Sequence, residues 1–232
     1  NESNRETLQA QILKAAELSK YAYGDTPAMF AQKFTNKLTS STWFYLEDND
    51  CSWVIHRGSQ QPRDFVVDAL AYPPIRHLGN WVHMGFGLAH KSIQKNLKKI
   101  LARVRKSGKR LICTGHSLGA VQAEYTHLQA VRLAIPSTCL VFGKPRGFFC
   151  KAKKRFPDQS VWSVCSGSDI VCRVPRYGFV PGCTNQGFIL LANDGNNYVN
   201  PDPDFVKEDF SIKDMVSDHS MDLYLKRVKE MA

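Results

Sequence analysis

Long apolar runs are missing from these 232 residues. None approaches the roughly 18 residues that a membrane-spanning helix needs, so a soluble chain with no transmembrane segment is expected. C-x-x-C pairs are missing too. The seven cysteines (Cys51, Cys113, Cys139, Cys150, Cys165, Cys172 and Cys183) lack zinc-ligand spacing, and no bound metal is expected. Low-complexity tracts and internal repeats are absent, which excludes solenoids and disordered scaffolds. No signal-peptide-like apolar segment follows Asn1. A chain that begins this way reads as a mature or trimmed product, and the missing leader is uninformative about origin. Acid is scarce in the middle of the chain. From Lys91 to Arg155 there are sixteen Lys and Arg against one acid, Glu124, within a net charge of +10. The last forty residues lean acidic instead. That asymmetry suggests a basic face for an anionic membrane surface or a nucleic acid, with a merely solvated face as the plain alternative. The odd cysteine count favours a reducing, cytoplasmic compartment, with secretion and a Cys172–Cys183 bridge both left open.

Hydrophobic residues make up 43% of the chain, enough for the core of one large domain spanning 1–232. Leu8, Ile12, Leu13, Ala16 and Leu18 recur at helical spacing, and Gly24 is a plausible stop. "STWFYLED" and "DCSWVIHRG" are aromatic and β-branched, separated by "EDND", and predict an antiparallel hairpin. "HKSIQKNLKKILARVRKSGKR" carries Ile93, Leu97, Ile100, Leu101 and Val104 on one side and cations on the other, an amphipathic helix. "RLICT", "STCLVFG", "SVWSVCS" and "GFILLAND" predict strands, with helices over "GAVQAEYTHLQAVRLA" and "SMDLYLKRVKEM". Alternation of strands with helices predicts an α/β fold: a mainly parallel central sheet flanked by helices, with an N-terminal antiparallel hairpin.

"CTGHSLGAVQ" places Ser117 between a predicted strand and a predicted helix, bracketed by Gly115 and Gly119. This is the context of a nucleophile elbow, where bulky neighbours would clash with the flanking elements. A serine hydroxyl needs a base to take its proton. Of the seven histidines only His219 lies far beyond Ser117, with room for an acid between, the order that such elbows use. Asp169 in "SGSDIVCRVP" follows a predicted strand directly and is the leading acid; Asp194, Asp202 and Asp204 are alternatives. Asp158 precedes the strand, and Asp218 adjoins His219 and should point elsewhere. The oxyanion donors expected are the Leu118 amide and Ser59, in the "WVIHRGSQQ" loop.

These segments together resemble the class 3 lipases, the fungal-lipase-like branch of the α/β hydrolases. "VIHRGS" is similar to that family's strand and oxyanion loop, "RDFVVDAL" to the segment after it, and "VHMGF" to its V-H-x-G-F signature. "TGHSLGA" is similar to the nucleophile motif, "LVFGKPRGF" to the following strand-turn, "SGSDIVCRVP" to the acid motif and "DHSMDLY" to the histidine motif. The likeness runs in order from about Gln11 to Leu225. It implies Ser117 as nucleophile, Asp169 as acid, His219 as base, and Ser59 with Leu118 as oxyanion donors. Three positions depart from the pattern: His56 where an apolar or aromatic residue is usual, Ser168 where Asn is frequent, and Cys172 where Pro is frequent. His83 is expected to be structural.

The resemblance implies a serine hydrolase that cleaves carboxylic esters of glycerolipids through an acyl-enzyme, as a triacylglycerol lipase or phospholipase A, without a cofactor. The connector from Gln60 to Ile75, with Phe65, Val66, Val67 and Leu70, is expected to be a lid over the site, with a fixed packing segment as the alternative. The expected partners are a lipid ester and, peripherally, an anionic membrane surface. A catalytically silent lipase-like protein docking on lipid is the competing reading. A nucleic-acid binder is disfavoured because no reading motif is present.

Overall fold

The computed structural model describes residues 2–24, 32–61, 73–149, 155–175, 179–180 and 186–231. Helix α1 (Glu2–Tyr21) leads into β1 (Gln32–Thr35), β2 (Thr42–Glu47) and β3 (Cys51–His56). The predicted hairpin is β2–β3, paired antiparallel from Trp43 opposite His56 to Glu47 opposite Ser52. β3 then pairs parallel with β6 (Arg110–His116), β6 with β7 (Ser137–Phe142), β7 with β9 (Val161–Ser166), and β9 with β11 (Gly187–Leu191). Antiparallel strands, β1 on β2 and β12 (Asn197–Val199) on β11, close the two edges of an eight-stranded sheet. A second, four-stranded sheet of β4 (Pro74–His77), β5 (Asn80–His83), β8 (Phe148–Phe149) and β10 (Phe179–Val180) was not legible in the sequence, its strands being two to four residues long.

The parallel strands are apolar on both faces because both are covered. Along β6 and β7, Leu111, Cys113, Cys139 and Val141 face one layer while Ile112, Leu140 and Phe142 face the other. The first layer holds α2 (Met84–Ser92), α3 (Gln94–Ser107) and α4 (Leu118–Arg132), through Phe86, Leu97, Leu101, Val104, Val121 and Leu128. The second holds α1 and α6 (Met221–Glu230), through Ile12, Ala15, Ala16, Met221, Tyr224 and Val228. Between β12 and α6 lies the short helix α5 (Pro203–Glu208).

The basic amphipathic stretch is two helices. It breaks at Ile93, where α2 ends and α3 begins. Helix α3 buries Leu97, Ile100, Leu101 and Val104 and leaves Lys95, Lys98, Lys99, Arg105 and Lys106 in solvent. Its last turn feeds the start of β6, whereas Ser117 follows the end of β6. Arg105 and Lys106 therefore lie about 20 Å from Ser117, at the opposite end of the strand. Among the described residues no helix is long and apolar enough to cross a membrane.

Cys51, Cys113, Cys139, Cys165 and Cys172 are free thiols. Burial pushes the Cys113 thiol up to about 12, and Cys113 and Cys139 pack as small apolar side chains. Cys183 lies outside the described residues.

Candidate active site

Ser117 sits where β6 ends and α4 begins, with φ 61° and ψ −126°. A left-handed φ at a non-glycine residue is strained, and it persists here because packing on both sides enforces it. Gly115 and Gly119 allow that packing: a Cβ on Gly119 would strike the His56 carbonyl, and one on Gly115 would strike the Gly119 backbone. The Ser117 amide donates to the Phe142 carbonyl at 3.1 Å, tying the elbow to β7. The serine is 2% exposed.

Asp169 follows β9 and is fully buried. One carboxylate oxygen, Oδ1, accepts from the Val171 amide at 2.9 Å. The other, Oδ2, accepts from His219 Nδ1 at 2.9 Å and from the Tyr224 hydroxyl at 2.5 Å. Burial alone would raise the carboxyl pKa, but the neighbouring His219 and the three donors outweigh it and hold it below the ordinary range. Asp169 is an acceptor, so His219 carries its proton on Nδ1. Its Nε2 then offers a lone pair that is buried and, among the described residues, without a hydrogen-bond partner. No hydrogen bond joins Ser117 Oγ to His219 among the described contacts. A loose serine–histidine contact is common before substrate binds.

The other acids are accounted for. Asp218 accepts from the Ser168 amide at 2.9 Å. Asp194 is held by Tyr198 at 2.6 Å and by the Asn196 amide. Asp202 caps α5, and Asp204 is exposed. Of these carboxylates only Asp169 meets the imidazole.

His219 ends a 3-10 turn (Ser217–His219) before α6. Its ring stacks on that of His116, centroids 4.5 Å apart and planes 25° apart. His116 Nε2 lies 2.7 Å from the His219 carbonyl oxygen, and the Tyr23 hydroxyl lies 2.7 Å from His116 Nδ1. Gly143, at φ +57°, backs the Asp169–His219 pair. A Cβ there would lie 2.9 Å from Asp169 Oδ2 and 3.0 Å from His219 Nδ1.

A cleft of about 610 Å³ opens beside His219 and His116. His219, His116, Ser59, Tyr23, Val216 and Met221 contribute to its walls. Ser59 thus shares a wall with His219, and its Oγ rests 3.3 Å from the Gln61 amide. Leu118 is the first residue of α4, whose free N-terminal amides point toward incoming negative charge. Of the lid expectation, Phe65, Val66, Val67 and Leu70 lie outside the described residues. His83 does what was expected of it: Nδ1 accepts from the Phe86 amide at 3.3 Å and caps α2.

The departures around the acid have partners. Ser168 Oγ accepts from Asn193 and from the Ser211 amide, each at 2.9 Å, fixing the turn that precedes Asp169. Cys172 Sγ lies 3.7 Å from the Tyr224 hydroxyl. His56 Nε2 lies 2.9 Å from Thr126 Oγ1. Sequence reasoning missed Tyr224, Tyr23, His116 and Gly143. For Tyr224 a signal existed: a tyrosine in the first turns of the helix after the histidine, in an otherwise apolar stripe.

A mainly parallel, helix-covered sheet with a serine elbow and a buried Asp–His pair at the same strand ends defines an α/β hydrolase. The class 3 lipase family model matches residues 53–179, and the chain belongs to that family. It is a lipase-type carboxylic ester hydrolase. The structure is similar to that of the lipase from Rhizopus microsporus var. chinensis, with 18% identity, TM-score 0.73, and 90% of this chain and 86% of that one covered. It is also similar to the Rhizomucor miehei triacylglyceride lipase (16% identity, TM-score 0.69, 82% of each chain). Lipase II from Rhizopus niveus is a third (15% identity, TM-score 0.70, 91% of this chain and 89% of that one). At such identities the likeness speaks for the fold. No curated protein matches the chain.

Proposed function

We propose that the chain hydrolyses acyl esters of glycerolipids through an acyl-enzyme on Ser117. The observation that carries this reading is His219: Nδ1 is bound to Asp169, and Nε2 is buried, without a hydrogen-bond partner among the described residues, and on the ring that stacks on that of His116, the neighbour of Ser117. In this scheme His219 Nε2 takes the Ser117 hydroxyl proton as Oγ attacks the ester carbonyl carbon. Asp169 stabilises the imidazolium that results. The Leu118 amide and Ser59 donate to the tetrahedral oxyanion. His219 then gives its proton to the leaving glycerol oxygen, the C–O bond breaks, and the acyl group stays on Ser117. Water, deprotonated by the same nitrogen, releases the fatty acid and restores the hydroxyl.

The cleft supports an acyl glycerolipid over a polar ester. Tyr23, Val216 and Met221 offer apolar wall, while Ser59, Gln60 and Gln61 supply polar contacts near the reacting carbonyl. The similar Rhizomucor miehei protein is a triacylglyceride lipase, which favours triacylglycerol as the first substrate to try. Ser117→Ala should abolish hydrolysis of a short-chain nitrophenyl ester and of triacylglycerol emulsions with the circular dichroism spectrum unchanged. Undiminished turnover in that variant would remove Ser117 from the mechanism. Absence of turnover in the unmodified protein across triacylglycerol, phosphatidylcholine, anionic phospholipid and monoacylglycerol would favour a silent lipid-binding protein.

A further inference from the structure

We infer that Tyr23 and His116 form a clamp that positions the general base, linking the nucleophile strand, the oxyanion loop and the His219 turn through one buried pair. This inference rests on the proposed role of His219. The hydrogen-bond chain has a definite direction. The His219 carbonyl can only accept, so His116 Nε2 carries the proton and donates to it across 2.7 Å. Nδ1 of a neutral His116 is then an acceptor, and the Tyr23 hydroxyl donates to it across 2.7 Å. Each bond fixes the sense of the other, and a single tautomer of His116 satisfies both.

Three segments meet on this pair. His116 is the last residue of β6, directly before Ser117. Its hydrogen bond reaches the residue that carries the base, and its ring supports the base's ring from below. Gly58, next to the proposed oxyanion donor Ser59, lies so close that a Cβ there would strike the Tyr23 hydroxyl and, at 2.5 Å, the His116 carbonyl oxygen. Tyr23 comes from the turn that follows α1, remote in sequence from all three. The clamp matters because, among the described residues, no hydrogen bond joins Ser117 to His219 to align the two. His219 is anchored at Nδ1 by Asp169 and at its carbonyl by His116, which leaves Nε2 aimed by support from two sides. Burial keeps His116 neutral through the working range, so the ring stacked on His219 adds no positive charge beside the imidazolium that forms in the reaction.

Neither residue reacts; both are positioning residues. The test uses Tyr23→Phe, which keeps the ring and removes only the donor, and His116→Phe, which keeps a stacking ring and removes both hydrogen bonds. Steady-state kinetics on a soluble short-chain ester, corrected for the folded fraction, should show kcat lower by roughly tenfold to a hundredfold for each variant with KM within about twofold. Loosening the Asp169–His219 bond lowers the basicity of the imidazole, so the acid limb of kcat/KM should move to lower pH. The downfield proton resonance of His219 Nδ1–H should broaden or move upfield. A purely structural role predicts lower stability with kcat per folded molecule, acid limb and resonance unmoved, and that result in Tyr23→Phe would overturn the clamp. Ser117→Ala and His219→Ala are run alongside. If they are inactive while Tyr23→Phe is normal, the clamp alone fails; if they retain turnover, the proposed mechanism itself is wrong.

Discussion

Acidification from pH 7 to pH 5 should remove much of the protein's stability, because several histidines are buried neutral. His56, His116 and His127 are 1%, 4% and 0% exposed, and burial pushes each imidazole down to about 3. His90 is driven the same way by burial and by its neighbours His56 and His77. In the unfolded chain a histidine titrates near 6.5. A folded pKa below the unfolded one means stability that is complete above about pH 6.5 and is lost as pH falls from there toward the folded value. At pH 5 the unfolded form gains about 1.5 pH units' worth of protonation energy per site, about 2 kcal/mol. Three such sites sum to about 6 kcal/mol, a large share of the 5–15 kcal/mol that ordinary domains possess. Glu124 works against this trend, since burial raises its pKa despite Lys144 and the folded state binds that proton more readily. Urea unfolding at pH 7, 6 and 5 measures the sum. His127 isolates one contribution. It lies between Ser137 Oγ at 2.7 Å and Ser160 Oγ at 2.9 Å, on α4 and outside the cleft. His127→Gln should lower stability at pH 7 yet shrink the loss between pH 7 and pH 5 by about 2 kcal/mol. An unchanged loss in that variant, or a flat stability profile in the unmodified protein, would refute the reasoning.

Asp169→Asn should lower kcat by about 10⁴-fold, because the amide cannot hold the same tautomer or stabilise the imidazolium; initial rates on a nitrophenyl ester check this, and a larger loss from Asp194→Asn would move the acid role there. Gly143→Ala combines a left-handed φ with a methyl at 2.9–3.0 Å from Asp169 and His219, so turnover should fall far more than thermal stability; equal losses would place the damage in the fold rather than the site. Lys144→Met leaves Glu124 buried without its 3.5 Å partner and should cost about 3–5 kcal/mol in urea unfolding at pH 7, with part recovered in the Lys144→Met, Glu124→Gln double variant.

The sequence by itself determined the order of the parallel strands and their main covering helices, since covered parallel strands must be apolar throughout and α3 must carry an apolar stripe beside a cationic one. It also pointed to Ser117 as the candidate nucleophile, through a small-residue turn that steric contact demands, and it narrowed the candidate base to His219 by order along the chain. Asp169 was favoured by its place after a strand, and the fold adds what the sequence could not: Asp169 meets the His219 imidazole, while Asp218 accepts from the Ser168 amide and Asp194 from Tyr198. Tertiary structure alone decided the surroundings of the site. Tyr23, His116, Gly143 and Tyr224 come from the turn after α1, β6, the turn after β7 and α6, and no local pattern reports a contact across such separations. The small second sheet was hidden because its strands are too short to carry a period. The cationic stripe was plain in the sequence, but its direction was not. Because the last turn of α3 leads into the start of β6 and Ser117 follows its end, the last cations of α3 lie about 20 Å from Ser117.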